Sequence, residues 1–188
     1  MPRSPTIVWR RLDVHGREAA GVRELRGGWR LSGIAEFEHD GTTACLAYAA
    51  RCDRAWQTRD CEITGFIGRT PIAAWLERDD AGQWTLDNIP IPDVTGCVDI
   101  DLAFSPITNL LPIRRLMLPV GTGAQVRAAW LRFPELTLEV LEQRYTRLAT
   151  DRYLYESAGG EFRRELTVSE SGLVLDYPGL WTSDSTPQ

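Results

Sequence analysis

The sequence predicts a mainly β protein, in which a many-stranded antiparallel sheet, curved or half a barrel, wraps around a single short α-helix at about residues 105–115. Two observations predict the sheet: apolar and polar residues alternate with period two along most of the chain, and turn residues such as Asp40-Gly41 recur between these runs. A third observation, one segment that starts like a helix, predicts the helix. We expect a single β domain over residues 1–181 and a flexible tail at 182–188.

The predicted strands are short and follow one another closely. In chain order they are Thr6–Val14, Arg30–Glu38, Thr43–Arg51, Gln57–Ile67, Pro71–Arg78, Gln83–Leu86, Thr95–Phe104, Leu116–Val120, Ala124–Phe133, Leu136–Val140, Glu142–Thr150, Arg152–Ser157, Phe162–Ser169 and Leu173–Tyr177. Short strands with regular turn signals are typical of a sandwich, a barrel or a curved sheet, and they argue against a βαβ fold.

The segment 105–115 breaks the alternation. Ser105 can cap a helix N-terminus, and Pro106 suits the first helical position, where no N–H donor is needed. Pro112 lacks the N–H that would bond one turn back, so we expect a short or kinked helix. Its leucine and isoleucine side chains would bury it in the concave face of the sheet.

The composition excludes several classes of protein. Hydrophobic residues make up 43% of the 188 residues and charged residues 25%, which is typical of a soluble globular domain. The net charge of −5 argues against nucleic acid as a partner. Every basic residue is an arginine, so mechanisms that need a lysine, such as a Schiff base, are excluded.

The sequence also carries signals about the compartment. Met1–Val8 lacks the apolar core of a signal peptide, and no apolar run approaches the ~20 residues of a membrane-spanning helix. The four cysteines show no CxxC spacing and are expected to be reduced and buried. We therefore expect a cytoplasmic protein with no transmembrane segment.

Asp99 and Asp101 are the first candidate site residues. On a strand both side chains point to one face, about 6.5–7 Å apart, while their apolar neighbours point to the other. Two carboxylates at this separation suit hydrogen bonding to sugar hydroxyls, or the acid and base of an inverting glycosidase, which lie roughly 6.5–9.5 Å apart. A solvated outer face would show the same pattern, so the interpretation depends on which face is concave.

The segment from Asp53 to Arg59 is the second candidate. It connects two predicted strands and so lies at an end of the sheet, where binding groups often occur. Trp56 offers a ring on which a sugar can stack, and Arg59 offers a planar pair of donors for a carboxylate or phosphate. A turn that is merely held by an Asp–Arg pair is the structural alternative.

Arg114 and Arg115 follow the predicted helix. Arginine is favoured at a helix C-terminus by the helix dipole, which explains both residues without a ligand. In the functional alternative, one guanidinium reaches Asp99, Asp101 or an anionic head group.

Motifs for other chemistry are absent from the sequence. The sequence has no glycine-rich phosphate loop, no HExxH and no GxSxG motif, and its two histidines and four cysteines lack zinc-site spacing. We expect no metal and no cofactor.

Several motifs together resemble a bacterial family that is named for glycolipid binding and was formerly a domain of unknown function. They occur in order over almost the whole chain, and the second and fourth are specific. The motifs are Trp9/Arg10, Tyr48 through Cys52-Asp53 to Trp56 and Thr58-Arg59, Gly96-Cys97-x-Asp99-x-Asp101-Leu102, Pro106 through Leu116, and Tyr177-Pro178.

The resemblance implies a fold, an assembly and a site. It implies a many-stranded antiparallel sheet around one helix, a homodimer, and a remote likeness to lipoprotein-carrier folds. It also implies an acidic pocket for a sugar or phospholipid head group. By the motifs, the ligand-binding residues would be Asp99, Asp101, Asp53, Trp56, Arg59, Arg114 and Tyr48, and no catalytic residue is assigned.

Three functions follow from these observations. The first is a lipid- or glycolipid-binding protein with a role in glycolipid or cell-envelope metabolism. The second is a hydrolase of a glycosidic or ester bond that uses Asp99 and Asp101 as acid and base. The third is a dimeric protein-interaction module in which a pocket is incidental.

Overall fold

A computed structural model describes residues 5–184, and 15 strands of this part of the chain form one continuous sheet. The strands are β1 (Thr6–Arg11), β2 (Gly16–Leu25), β3 (Gly28–His39), β4 (Thr42–Asp53), β5 (Thr58–Ile67), β6 (Thr70–Arg78), β7 (Trp84–Leu86), β8 (Ile89–Pro90), β9 (Asp99–Leu102), β10 (Gly123–Leu131), β11 (Leu138–Arg147), β12 (Arg152–Ser157), β13 (Phe162–Val168), β14 (Val174–Tyr177) and β15 (Trp181–Ser183).

The sheet consists of two runs of strands that are each consecutive in the chain, β8 to β1 and β15 to β9. The order is β8-β7-β6-β5-β4-β3-β2-β1-β15-β14-β13-β12-β11-β10-β9. Strand β1 pairs with β15, which joins the N-terminal and C-terminal halves of the sheet. Neighbouring strands are antiparallel except β9 and β10, which are parallel. The predicted antiparallel, curved architecture is confirmed.

The predicted helix is also confirmed, and it lies buried against the concave face of the sheet. The Ser105 hydroxyl accepts a hydrogen bond from the Ile107 N–H at 3.2 Å, as expected of an N-terminal cap. A 3₁₀ turn at Pro106–Asn109 leads into helix α1 (Leu110–Leu116). Every residue from 105 to 113 is buried, because the inner face of the sheet surrounds this segment.

The two sides of the curved sheet meet at Thr58, the first residue of β5. Its backbone N–H donates to the Val98 carbonyl at 3.1 Å, and its hydroxyl accepts from the Ile100 N–H at 3.1 Å. Thr58 is fully buried, so these bonds lie out of water and join β5 to the start of β9. The sheet is not closed, but this contact holds the edge strand β9 against β5, the fourth strand from the opposite edge.

The structure corrects part of the strand prediction. Strand β2 was not predicted, and the predicted strand Leu116–Val120 is wrong, because these residues end α1 and form the loop after it. The two predicted strands Leu136–Val140 and Glu142–Thr150 form one strand, β11. Strand β15 includes the first two residues of the predicted tail, and residues 185–188 of that tail lie outside the described part.

Membrane-spanning helices are absent from residues 5–184, since none of the helical segments there has the length and apolar content to cross a bilayer.

We predict that Thr58→Val lowers the free energy of unfolding by about 1–3 kcal/mol, because the change keeps the shape but leaves the buried Ile100 N–H without its acceptor. Urea unfolding followed by tryptophan fluorescence measures this loss. Thr64→Val, at an exposed position of the same strand, is the control and should change stability by less than about 0.5 kcal/mol. Equal effects of the two substitutions would contradict a role for Thr58 in holding the sheet edge.

Candidate functional site

Asp99 points into the curved sheet and not to solvent. Its side chain is 1% exposed, and Arg115 of α1 contacts it with two parallel hydrogen bonds, Nε to Oδ1 at 3.0 Å and Nη2 to Oδ2 at 2.5 Å. Burial raises the pKa of Asp99, and the guanidinium opposes that rise. The predicted Asp–Arg contact therefore exists with Arg115, and it ties the helix to the sheet.

Asp101 lies two residues further along β9, on the same face. It is half-buried, and its Oδ2 accepts a hydrogen bond from the Gln143 amide at 2.6 Å. Loss of water around the carboxyl group raises its pKa to about 6. The negative charge of Asp101 in turn helps to raise the pKa of Tyr155, after burial of that ring.

Burial raises the pKa of both carboxyl groups of the aspartate pair, but the neighbouring charges act differently on them. Arg115 opposes the rise at Asp99, whereas the negative charge of Asp99 adds to the rise at Asp101. The sequence also allowed the two aspartates to lie on a solvated outer face of the sheet. That alternative is wrong, because Asp99 is buried and Asp101 lies on the same face.

A second buried carboxylate, Glu18, was not predicted. The Tyr48 hydroxyl donates to Glu18 Oε1, and the Ser105 hydroxyl donates to the same oxygen at 2.5 Å. Oε2 of Glu18 has no hydrogen-bond partner among the described residues. Burial raises the pKa of Glu18 to about 7, against the two hydroxyl donors, which lower it. This network joins β2, β4 and the helix start.

The network depends on a glycine. Gly33 of β3 lies between Ala20 and Tyr48 in the sheet register. A Cβ atom at this position would lie 2.5 Å from the Tyr48 hydroxyl and 2.8 Å from the Ala19 carbonyl oxygen. Because Gly33 has no side chain, the Tyr48 side chain can extend from β4 over β3 and reach Glu18 on β2.

The Asp53–Arg59 segment forms the turn that the sequence predicted. Oδ1 of Asp53 accepts from the N–H groups of Ala55 and Gln57, at 2.9 and 3.0 Å, and its Oδ2 accepts from Arg59 Nη2 at 3.0 Å. Arg59 Nη1 donates to Asp80 at 2.6 Å. The turn is thus held by its own Asp–Arg pair, while the guanidinium stays half-exposed.

Trp56 takes the left-handed conformation in this turn, with φ 63°. This conformation turns its ring inward onto Trp29, with ring centroids 4.6 Å apart and planes inclined by 14°. The Arg114 guanidinium lies 5.2 Å from the centre of the Trp56 ring. A small apolar cavity of about 80 Å³ opens here, lined by Pro5, Val22, Trp29, Trp56, Leu110, Arg114, Ser171 and Leu173.

A charged cleft of about 530 Å³ lies on the other side of the same turn. It is lined by Leu25, Gly27, Gly28, Arg51, Cys52, Asp53, Arg59 and Asp60. Arg51 donates to Asp60 at 2.7 Å, so the cleft presents two Asp–Arg pairs. The turn from Asp53 to Trp56, together with Gly28 and Trp29 of β3, separates the charged cleft from the apolar cavity.

The predicted site residues thus fall into three groups. Asp53, Trp56, Arg59 and Arg114 meet at one end of the sheet, around the turn. Asp99 and Asp101 face the interior on β9, and Tyr48 belongs to the network with Glu18. The sequence missed Glu18 and Gln143, and it left open which of Arg114 and Arg115 reaches Asp99.

A larger cleft of about 680 Å³ contains none of the predicted residues. Its lining includes Arg10, Arg11, His15, Arg17, Glu36 and Glu38. It lies at the opposite ends of β2, β3 and β4 from the Trp56 turn, as the register of these strands shows. Four predicted site residues line the smaller pair of pockets, namely Asp53, Trp56, Arg59 and Arg114, whereas Arg10 of the first family motif lines the larger cleft.

Comparison with known proteins agrees with the fold. The family model described as "Putative glycolipid-binding" matches residues 6–183. A crystal structure of a DUF1089 family protein from Pseudomonas aeruginosa is 34% identical to this chain, covers 88% of it and 91% of its own chain, and superposes with a TM-score of 0.78. No curated protein matches the chain.

We predict that the free energy of unfolding falls as the pH rises from about 4.5 to above 7, because Glu18 holds its proton more tightly in the folded chain, with a pKa of about 7, than in the unfolded chain. The contribution is complete below the unfolded pKa and is lost as the pH passes the folded one. Glu18→Gln should flatten this part of the profile, measured by urea unfolding at several pH values.

Glu36→Gln, an exposed glutamate on β3, is the control and should keep the slope of the parent protein. An unchanged slope in Glu18→Gln would show that Glu18 is not the group that titrates.

Proposed function

The chain belongs to the family described as "Putative glycolipid-binding", and we propose that it binds a glycolipid at the Trp56 turn, with the head group in the charged cleft and part of an acyl chain in the apolar cavity. The observation that carries the proposal is that two pockets of opposite character lie on the two sides of one turn. A glycolipid has the same two-part character. A role in glycolipid or cell-envelope metabolism is part of the proposal.

The charged cleft supplies the groups that hold a sugar. Carboxylates accept hydrogen bonds from sugar hydroxyls, and guanidinium groups donate to ring and hydroxyl oxygens. Asp53 and Arg59 offer both, and their own pairing fixes the donor and acceptor positions before a ligand arrives. The cleft is of mixed charge, with two arginines and two aspartates, so it suits a neutral sugar as well as a phosphosugar.

The apolar cavity is small, and its size defines what it holds. At about 80 Å³ it is well below the roughly 300–1,000 Å³ of pockets that enclose a whole ligand. We expect it to take one end of a chain, between the stacked Trp29–Trp56 pair and Leu110, and the rest of the chain to stay outside. Arg114 lies over Trp56 at the rim and can contact an anionic group of the ligand.

In this proposal the interior aspartates have a supporting part. Asp99 is already satisfied by Arg115, and Tyr48 by Glu18, so both fix the helix that carries Leu110 and Arg114. Asp101 is half-buried and its Oδ1 has no hydrogen-bond partner among residues 5–184, which makes it the interior residue best placed to meet a hydroxyl.

We also propose a homodimer formed through the outer face of the sheet. Val8, Ala19, Ile34 and Ala47 are directly opposite one another on four adjacent strands and form an apolar row there. Val8 is 38% exposed and Ile34 56%. A continuous apolar row on an exposed sheet face is unusual for a monomer and suits the same patch on a second copy.

A cytoplasmic location completes the proposal. It is supported by the four free cysteines, of which Cys52, Cys61 and Cys97 are buried. Burial raises the pKa of the Cys52 thiol to about 12, which keeps it protonated and unreactive. Such thiols fit a reducing compartment.

The direct test of the proposed function is lipid binding. We expect native mass spectrometry of the purified protein to show a co-purifying lipid, and isothermal titration calorimetry to show binding of octyl glucoside below its micelle concentration. Absence of any bound lipid, together with no binding across a panel of alkyl glycosides, would refute the proposal.

We predict that Arg59→Gln weakens octyl glucoside binding about tenfold, because the head group loses charged donors in the cleft. Arg127→Gln is the matched control, since Arg127 is also a half-exposed arginine paired with a carboxylate, Glu142, and lies outside both pockets. Calorimetry on the two variants gives the comparison, and equal affinities would place the head group elsewhere.

We predict that Ile34→Arg converts the dimer to a monomer, because two like charges would meet near the symmetry axis of the interface. Size-exclusion chromatography with light scattering measures the mass. Ile89→Arg, which changes an exposed isoleucine of the edge strand β8, should leave the mass unchanged. A parent protein that is monomeric at all concentrations would contradict the dimer without touching the lipid site.

A further inference from the structure

Three exposed apolar side chains lie at the end of the sheet where α1 ends. Met117 is 76% exposed, Val120 54% and Leu148 40%. We name these three residues the apolar tip. Met117 follows the helix directly in the left-handed conformation, with φ 43°, and so its side chain leaves the path of the helix. Leu118, between the exposed residues, is buried and anchors the loop.

Hydrogen bonds hold the two loops of the apolar tip side by side. The Gly121 N–H donates to the Arg147 carbonyl at 2.7 Å, and the Arg147 N–H donates to the Thr122 carbonyl at 2.9 Å. The Arg147 guanidinium donates to the carbonyls of Leu118 and Thr150, at 3.0 and 2.8 Å. One arginine side chain therefore braces both loops, and the three apolar residues are presented on a fixed base instead of collapsing onto the protein.

The two loops of the apolar tip carry Arg147 and one exposed aspartate, Asp151, and Arg114 lies near Arg147, so the local charge is net positive although the whole chain is acidic. No charged residue occurs from Leu116 to Val126, and Arg114 and Arg115 come directly before this stretch. Arg115 is neutralised by Asp99, whereas Arg114 makes no ion pair with any residue between 5 and 184. Exposed apolar side chains next to unneutralised arginine are typical of a surface that enters the boundary of an anionic bilayer.

The apolar tip also adjoins the pocket at the Trp56 turn. Arg114 lines the apolar cavity and is three residues from Met117. Arg114 and Arg147 both act on the pKa of Tyr153, which they lower against the effect of burial, so the helix end and the bracing arginine share one neighbourhood. Any partner that binds the apolar tip would therefore also lie next to the apolar cavity at the Trp56 turn.

We propose that the apolar tip docks the protein on a lipid bilayer that contains anionic phospholipid, with Met117, Val120 and Leu148 inserted at the head-group boundary and Arg114 against lipid phosphates. Docking places the apolar cavity at the bilayer surface, where a glycolipid can pass between membrane and protein without crossing water. The transfer of glycolipid rests on the proposed function, whereas the docking is argued from the exposed residues alone.

A bilayer fits this surface better than a protein partner does. The three side chains stand on two loop ends and do not form a continuous flat face, so each can enter a fluid layer separately. The apolar row on the outer face of the sheet, by contrast, is continuous across adjacent strands and suits a second copy.

The test is flotation with vesicles of phosphatidylcholine containing one quarter phosphatidylglycerol. We expect the full chain to float with the vesicles, and the double variant Met117→Ser/Val120→Ser to partition at least about tenfold more weakly, since two exposed side chains no longer enter the lipid. Ile89→Ser is the control, because Ile89 is 64% exposed on β8 and outside the apolar tip. Added salt should weaken the flotation of the parent protein.

Octyl glucoside calorimetry and light scattering on the same variants separate the possible failures. Loss of flotation in the double variant, with unchanged octyl glucoside affinity and unchanged mass, supports the docking. Equal flotation of the double variant and the parent overturns it, and so does a parent protein that does not float. In the last case, retained octyl glucoside binding leaves the proposed function standing. A change in mass of the double variant overturns the docking in favour of a protein contact at the apolar tip.

Discussion

An open, strongly curved sheet must fill its concave face, and here residues 105–113 are buried in that face and determine the arrangement around them. Ser105 to Ile113 have almost no contact with water. The segment therefore has to satisfy its polar groups from within the protein, and it does so with the Ser105 cap, with Thr108, which accepts from the Leu102 N–H at 3.3 Å, and with Asn109, which accepts from Tyr145 at 3.2 Å.

Polar contacts between the sheet and this segment determine how the helix is oriented. Apolar packing alone is non-directional, whereas a hydrogen bond or a bidentate ion pair has one geometry. Glu18 and Tyr48 hold the start of the segment at Ser105, and Asp99 holds its end at Arg115. Both carboxylates are buried at a cost in desolvation, which is seen in their raised pKa values. The directional contacts of these two carboxylates fix one position of the helix in the curved sheet.

That position decides what the end of the sheet presents. With Arg115 turned inward to Asp99, Arg114 is turned toward Trp56, and the chain leaves the helix at Met117 toward solvent. The proposed lipid site and the proposed docking surface are consequences of this arrangement. The Trp56 turn contributes the other half, because its left-handed residue directs the indole ring onto Trp29 and leaves Asp53 and Arg59 on the far side.

Features that depend on neighbouring residues could be predicted from local chain chemistry: most of the period-two strands, the Ser105–Pro106 helix start and the Asp53–Arg59 turn were confirmed. Strand β2 was not predicted because its buried residue Glu18 is charged and its exposed residue Ala19 is apolar. The alternation of polarity therefore does not indicate which face of the strand is buried. Leu116–Val120 read as a strand because apolar residues of an exposed loop resemble those of a sheet. Local chemistry could not predict that Asp99 faces inward, that Arg115 and not Arg114 contacts it, or that Ser105 contacts Glu18 across 87 residues of sequence. These contacts depend on how the sheet curves around the helix, a property of the assembled strands that no stretch of the chain contains.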